Sequence, residues 1–168
     1  MGAERRGLTA GEVALGRAAF GDRVPLDRVI FIDGAAGNPI AKAAFRNGNS
    51  AITLRRTIYF GPAYYQPDFS AGKAAAKGLF IHELTHVWQY ETLGTAWFFA
   101  RYARDYAACG CKAWRMYEYE QGKTPFRRAR LEAQAEMAGN YAEASADGDI
   151  AKMALIAQNL AGSGLFGL

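Results

Sequence analysis

Two histidines, four residues apart, constrain this chain more than any other feature. They sit in the stretch Phe80-Ile81-His82-Glu83-Leu84-Thr85-His86-Val87-Trp88-Gln89, which reads His-Glu-x-x-His. Leu79, Phe80, Leu84, Val87 and Trp88 surround the polar residues with apolar ones, so the stretch is expected to be a buried helix. On a helix, residues four apart lie about 40° from one another around the axis, one turn along. His82 and His86 would then point the same way and could grip one metal ion. Glu83 lies about 100° round from His82, within reach of a water on that metal. This is the pattern of a zinc site in which two imidazoles hold the ion and a carboxylate takes a proton from its water. The bland alternative is a helix with two partly exposed histidines and no metal. The chain has two histidines in 168 residues, and both fall inside the motif, which favours the metal.

A catalytic zinc needs a third protein ligand and one position left for water. No third histidine exists to supply it. The longer pattern H-E-x-x-H-x-x-G-x-x-H fails, since Gln89 stands where glycine should be and Thr92 where the last histidine should be. The third ligand must therefore be Asp, Glu or Cys. Glu91 points elsewhere, about 140° from His86 on the same helix. Cys109 and Cys111 sit at an expected helix break. The best candidates are Glu132 and Glu136 in Glu132-Ala133-Gln134-Ala135-Glu136, which share one face of a downstream helix. Glu132 is favoured as the ligand. Glu136 is favoured as acceptor of a ligand histidine's second N–H, and the reverse assignment stays open. Alternatively both glutamates belong to a solvated face paired with Arg128 or Arg130. Ala133, Ala135, Ala138 and Gly139 speak against that, because small residues suit close packing of one helix on another.

The rest of the chain predicts an α+β domain spanning 1–168, with loose tails at 1–8 and 161–168. Thr9-Ala10-Gly11-Glu12 has the form of a capping box opening a helix that ends near Gly21. Residues 28–32 read as a strand, 40–45 as a short helical turn, and 50–60 as one or two strands ended by Gly61-Pro62. Asp68 or Ser70 is expected to cap a motif helix over residues 72–90. Residues 95–108 carry Trp97, Phe98, Phe99, Tyr102 and Tyr106. The membrane-surface reading of that aromatic density gives way to a core helix with an apolar stripe. A break at Cys109-Gly110-Cys111, a short helix at 112–120, a helix capped by Thr124 with Pro125 in its first turn, and a last helix over 150–160 complete the chain.

Charge narrows the function classes little. The net charge is +4 and the sequence pI about 9.1, with basic residues scattered rather than massed, so nucleic-acid binding is not expected. No stretch is long and apolar enough to predict a membrane span or a signal peptide. Cys109 and Cys111 are expected to be free thiols in a reducing compartment, since Cys-x-Cys makes a strained disulfide and misses the usual zinc spacing.

The motif helix followed by Glu132-x-x-Ala135-Glu136 resembles the gluzincin metallopeptidases, whose pattern is HExxH and then Glu-x-x-Ala-Asp/Glu. That resemblance implies Glu132 as third zinc ligand and Glu136 as support for a ligand histidine, although the family usually has Asp at the second place. Leu8-Thr9-x-x-Glu12, Phe20-Gly21, Ile52-Thr53-Leu54, Ile58-Tyr59-Phe60, Asp68-Phe69-Ser70 and the motif itself also resemble small bacterial Vgr-related proteins and the contractile-injection-system core domain. Coverage runs over residues 8–145. The resemblance implies a minimal zincin-like fold: a small N-terminal sheet and helix, the HExxH helix, and a helical C-terminal half carrying the third ligand. It also implies one Zn²⁺ per chain and an association with type VI or other contractile secretion.

The expected activity is zinc-dependent peptide-bond hydrolysis with Glu83 as general base. Tyr102, Tyr106, Tyr119 and Tyr141 are candidate donors to the oxyanion, with Tyr141 and Tyr106 retained as site candidates. A strand such as 58–60 could pair with an extended substrate. Expected partners are a peptide or protein substrate and a secretion-system spike or effector protein. The expected location is cytoplasmic, or outside the cell after export without a signal peptide. The rival functions are a non-catalytic zinc-binding scaffold or adaptor and a secreted toxin that cuts a competitor's protein.

Overall fold

A computed structural model of the chain describes residues 4–168. The Thr9–Glu12 box opens helix α1 (Ala10–Phe20) as expected: Thr9 Oγ1 accepts from the Glu12 N–H, and the Glu12 carboxylate accepts from the Thr9 N–H. Glu12 is fully buried, which is costly for a charge without a partner. The Arg6 guanidinium grips both its oxygens at 2.7 and 2.8 Å, and the Phe69 N–H donates at 2.9 Å. One carboxylate thereby ties the first strand, the first helix and the 3-10 turn Phe69–Ala71 together.

Four short strands, β1 (Arg5–Arg6), β2 (Ile30–Asp33), β3 (Ala51–Leu54) and β4 (Thr57–Phe60), form one sheet in the order β1-β2-β4-β3. β2 and β4 run parallel, and the outer pairs are antiparallel. The parallel pair needs a crossover, and helix α2 (Pro39–Arg46) lies in it, capped by the Asn38 side chain. β3 and β4 form a hairpin turning at Arg55, whose φ is 60°. β3 is therefore an outer strand with one edge free. Phe31, Phe60, Phe69 and Phe80 are all fully buried and bring sheet and motif helix together, with Phe60 and Phe69 rings 4.6 Å apart.

The helical half comprises α3 (Ala74–Leu93), α4 (Thr95–Ala108), α5 (Leu131–Asp147) and α6 (Ile150–Leu160). Among the described residues a four-stranded sheet and six helices make a mixed α+β fold, and no helix among them is long and apolar enough to cross a membrane.

Several local expectations fail for identifiable reasons. Asp68 caps the 3-10 turn Phe69–Ala71, not the motif helix, which starts at Ala74 without a side-chain cap. Pro125 precedes a 3-10 turn at Phe126–Arg128, and α5 starts only at Leu131, while Thr124 Oγ1 accepts from the Glu120 N–H. Residues 112–120 hold a 3-10 turn at Ala113–Met116, not an α-helix. α4 is not a core helix: only Phe98 and Asp105 are buried, and Trp97 and Phe99 are 74% and 50% exposed. Its aromatic residues are spread around the axis, so one face cannot bury them all. Residues 161–168 are not a loose tail. Leu165 is fully buried, and the Arg23 guanidinium donates to the carbonyls of Ser163 and Gly164. At the other end, Arg5 pairs with Ile32 and Arg6 with Phe31, and residues 1–3 lie outside the described residues.

Candidate metal centre

α3 and α5 cross where each carries a glycine. A Cβ added at Gly139 would stand 2.8 Å from the Gly78 carbonyl oxygen and 3.2 Å from His82 Cβ. Real side chains essentially never approach so closely, so this crossing needs glycine. The small residues on α5 thus bring its backbone against α3 and set Glu132 and Glu136 opposite the two histidines.

One Glu132 oxygen faces both rings, at 3.4 Å from His82 Nε2 and 3.1 Å from His86 Nε2. One ligand atom from each of His82, His86 and Glu132 falls within 4.8 Å of the others. The second nitrogen of each ring also faces an acceptor. His82 Nδ1 is 3.3 Å from Glu136 Oε2, and His86 Nδ1 is 2.8 Å from Gln89 Oε1. Gln89 is held in turn, because its amide donates to the Leu131 carbonyl at 2.9 Å and to Gln134 Oε1 at 3.1 Å. The acceptors assign the proton of each neutral ring to Nδ1 and leave the Nε2 lone pair turned toward Glu132. Two lone pairs facing a carboxylate repel it unless a proton or a cation lies between them.

The electrostatics show that requirement. Burial disfavours a charged His82, yet the facing Glu132 and Glu136 outweigh it and raise the ring to about 10. His86 is also raised, against its burial, by Glu132. Burial likewise opposes ionisation of Glu132, but the two imidazoles hold it well below the usual carboxylate range. Glu136 is lowered by its bond to His82. Zinc bound tetrahedrally at about 2.0–2.1 Å separates its ligand atoms by roughly 3.3 Å. Both nitrogen-to-oxygen distances to Glu132 match that spacing, and two neutral imidazoles plus a carboxylate are a set that zinc accepts.

Glu83, the residue after His82, is buried at 4% exposure. Thr53 on β3 donates to Glu83 Oε2 at 2.6 Å, leaving Oε1 without a hydrogen-bond partner among the described residues. The Tyr117 ring stacks on His82 with centroids 6.0 Å apart. Two cavities, of about 380 and 230 Å³, meet at His82, Glu83 and Tyr117 and run along the free edge of β3. The expected pairing strand 58–60 is ruled out by the register: β4 is flanked by β2 and β3, so of the outer strands it is β3 that offers an edge beside the cavities.

The structure therefore brings His82, Glu83, His86, Glu132 and Glu136 together, and leaves the other candidates elsewhere. Glu91 makes two bonds to Arg56, at 2.7 and 2.8 Å. Cys109 and Cys111 are free thiols outside the ligand group. Glu132 does not pair with Arg128 or Arg130, being 6% exposed. Tyr141 packs on Phe166 with centroids 4.6 Å apart, and Tyr106 is on the exposed side of α4; neither lines the two cavities. Tyr119 accepts from Asn140. Of the expected donors only Tyr102 reaches the cleft, and burial raises its hydroxyl above the ordinary range, as it does for Tyr117. Thr53, Gln89 and Tyr117 were not foreseen. Gln89 was within reach, since it lies one helical turn past His86, whereas Thr53 and Tyr117 meet the site only through tertiary packing.

Residues 17–94 match the model of the eCIS core domain family, a span that includes β2, β3, β4 and the HExxH helix and ends before Glu132. An 87-residue stretch is 31% identical to the type VI secretion system spike protein VgrG2b of Pseudomonas aeruginosa, covering 51% of this chain and 8% of that protein. The solved effector domain of Pseudomonas aeruginosa VgrG2b superposes with a TM-score of 0.66 at 25% identity, over 94% of this chain and 82% of that one. These similarities relate the chain to Vgr and contractile-injection-system proteins.

Proposed function

We propose that this chain is a zinc metallopeptidase module that works with a contractile secretion machine. The observation that carries the reading is the convergence of His82 Nε2, His86 Nε2 and a Glu132 oxygen beside the buried carboxylate of Glu83. His82, His86 and Glu132 would hold the zinc, with Glu136 and Gln89 fixing the ring orientations. Zinc, when bound, activates a water and polarises the substrate carbonyl. Glu83 Oε1 accepts the proton of the attacking water and returns it to the leaving amine, while Thr53 holds Oε2 and so sets the angle of the carboxylate. Tyr117 and Tyr102 stay protonated at neutral pH and line the cleft, so their hydroxyls would serve as donors there, in the role expected of Tyr141 and Tyr106. The free edge of β3 binds the substrate backbone as an added strand.

The secretion link rests on the relation to the VgrG2b effector domain, and it makes a spike protein the natural partner and export the natural route. A purely structural zinc site would need no base. The buried, threonine-held Glu83 in the wall of both cavities favours the enzyme over the scaffold. The test is digestion of an unfolded protein such as casein by the zinc-loaded chain. Glu83→Gln is expected to keep its zinc and lose hydrolysis by roughly 10²–10⁴-fold. Equal cleavage by wild type and variant would refute Glu83 as the base, and zinc-loaded wild type that cuts nothing would favour the scaffold.

A further inference from the structure

The larger cavity, of about 380 Å³, carries charge of one sign. Its wall holds Glu83 from α3, Glu136 and Glu143 from α5, and no lysine or arginine. Asn49, Ser50 and Asn140 add neutral polar groups. Glu136 and Glu143 are seven residues apart on α5, so they lie on one face, two turns and about 10 Å along the axis from each other. Glu136 faces His82 and accepts from Asn140.

Glu143 differs from the chain's other sheltered carboxylates. Glu12 holds Arg6 and Glu91 holds Arg56, whereas Glu143, partly buried, makes no hydrogen bond or ion pair among the described residues. Gly78 makes room for it: a Cβ added there would stand 3.1 Å from Glu143 Cβ and 3.5 Å from Glu143 Oε2. At the other end of the cavity Glu83, 4% exposed, has its Oε1 unpaired. A carboxylate that gives up part of its water without gaining a cation or a donor is unfavourably placed. Under the proposed function, the two charges of zinc are offset by Glu132 and Glu83. The charges of Glu136 and Glu143 are left over, in a cavity that opens onto the scissile bond.

We propose that the larger cavity is the side-chain subsite of the peptidase and takes a basic side chain, lysine or arginine, next to the bond to be cleaved, with Glu143 as its counter-charge. A cationic side chain brings the charge that the wall lacks, and an acidic one would meet like charges there. Ala51 of β3 lines the same cavity, so a substrate backbone along the β3 edge can turn one side chain into it. The substrate class is then an extended peptide carrying a basic residue. This inference rests on the metallopeptidase reading and adds the charge of the residue recognised.

The experiment measures binding of three short peptide hydroxamates, identical except for lysine, norleucine or glutamate as the first side chain after the zinc-binding group. Norleucine keeps the carbon chain of lysine and drops the ammonium. Calorimetry on the zinc-loaded full chain is run for wild type and Glu143→Gln, with zinc content and melting temperature measured on both. Wild type is expected to bind the lysine compound at least about tenfold tighter than the norleucine compound, as one hydrogen bond to a charged group gives, and the glutamate compound weakest. Glu143→Gln is expected to lose most of the lysine preference while its norleucine binding, zinc content and melting temperature stay as in wild type. Wild type that binds norleucine or glutamate as tightly as lysine, or a lysine preference that survives Glu143→Gln, overturns the subsite. In either case retained zinc and hydroxamate binding leave the metallopeptidase reading standing. A chain that holds no zinc and binds none of the compounds defeats both.

Discussion

Among single residues, Thr53 is the one whose role is separable from the metal. Its hydroxyl touches Glu83 and none of the three proposed ligands, so under the proposed function it would position the base. Thr53→Val is expected to leave zinc content unchanged and lower turnover roughly 10–100-fold, with Thr53→Ser restoring turnover. Unchanged turnover in Thr53→Val would show that Glu83 needs no such support. The histidines give a second expectation. His82 is raised from 6.5 to about 10 in the metal-free fold, because its charged ring lies against Glu132 and Glu136. The stabilisation from that contact is complete below about pH 6.5 and is lost as pH rises toward 10. Zinc must displace the same proton, so apparent zinc affinity should rise across this window, up to about tenfold per pH unit for one proton. Competition with a chelator at pH 7 and pH 8 measures it, and a flat response would mean that no ring proton is displaced.

At the scale of elements, the site depends on how closely α3 and α5 approach. Gly139→Ala puts a methyl 2.8 Å from the Gly78 carbonyl oxygen. Overpacking of this kind costs about 1–3 kcal/mol, and here it also moves Glu132 away from the histidines. Both a lower melting temperature and weaker zinc binding are expected, and a variant with unaltered zinc affinity would show that the crossing does not set the ligand distance. Sequence made parts of this legible. The 3.6-residue spacing placed His82 and His86 together, and Glu132 and Glu136 together, because helical periodicity is local. The small residues of α5 forecast its close packing. The fate of α4 was hidden, since an aromatic-rich segment looks like core until it is known whether a partner covers it. The start of α5 was hidden too, because a Thr-Pro pair opens a 3-10 turn as readily as an α-helix.

Across the whole molecule, the proposed metal centre would join three separate pieces of chain: α3 gives the two histidines and Glu83, α5 gives Glu132, and β3 both the Thr53 that bonds Glu83 and an open edge. The match to the eCIS core domain ends before Glu132, yet the superposition on the VgrG2b effector domain covers 94% of the chain. Sequence could propose that pairing of distant segments from the Glu-x-x-Ala-Glu pattern, but the direction of the sheet edge and the place of Glu143 in a cavity wall exist only once the chain is folded. The most direct measurement is zinc per chain, by mass spectrometry of the elements, on wild type beside Glu132→Gln after incubation with zinc at neutral pH and dialysis. One zinc per wild-type chain, with affinity in the variant lower by at least about tenfold, is the expected result. No zinc in the wild type, or the same zinc content and affinity in Glu132→Gln, would contradict a centre built from His82, His86 and Glu132.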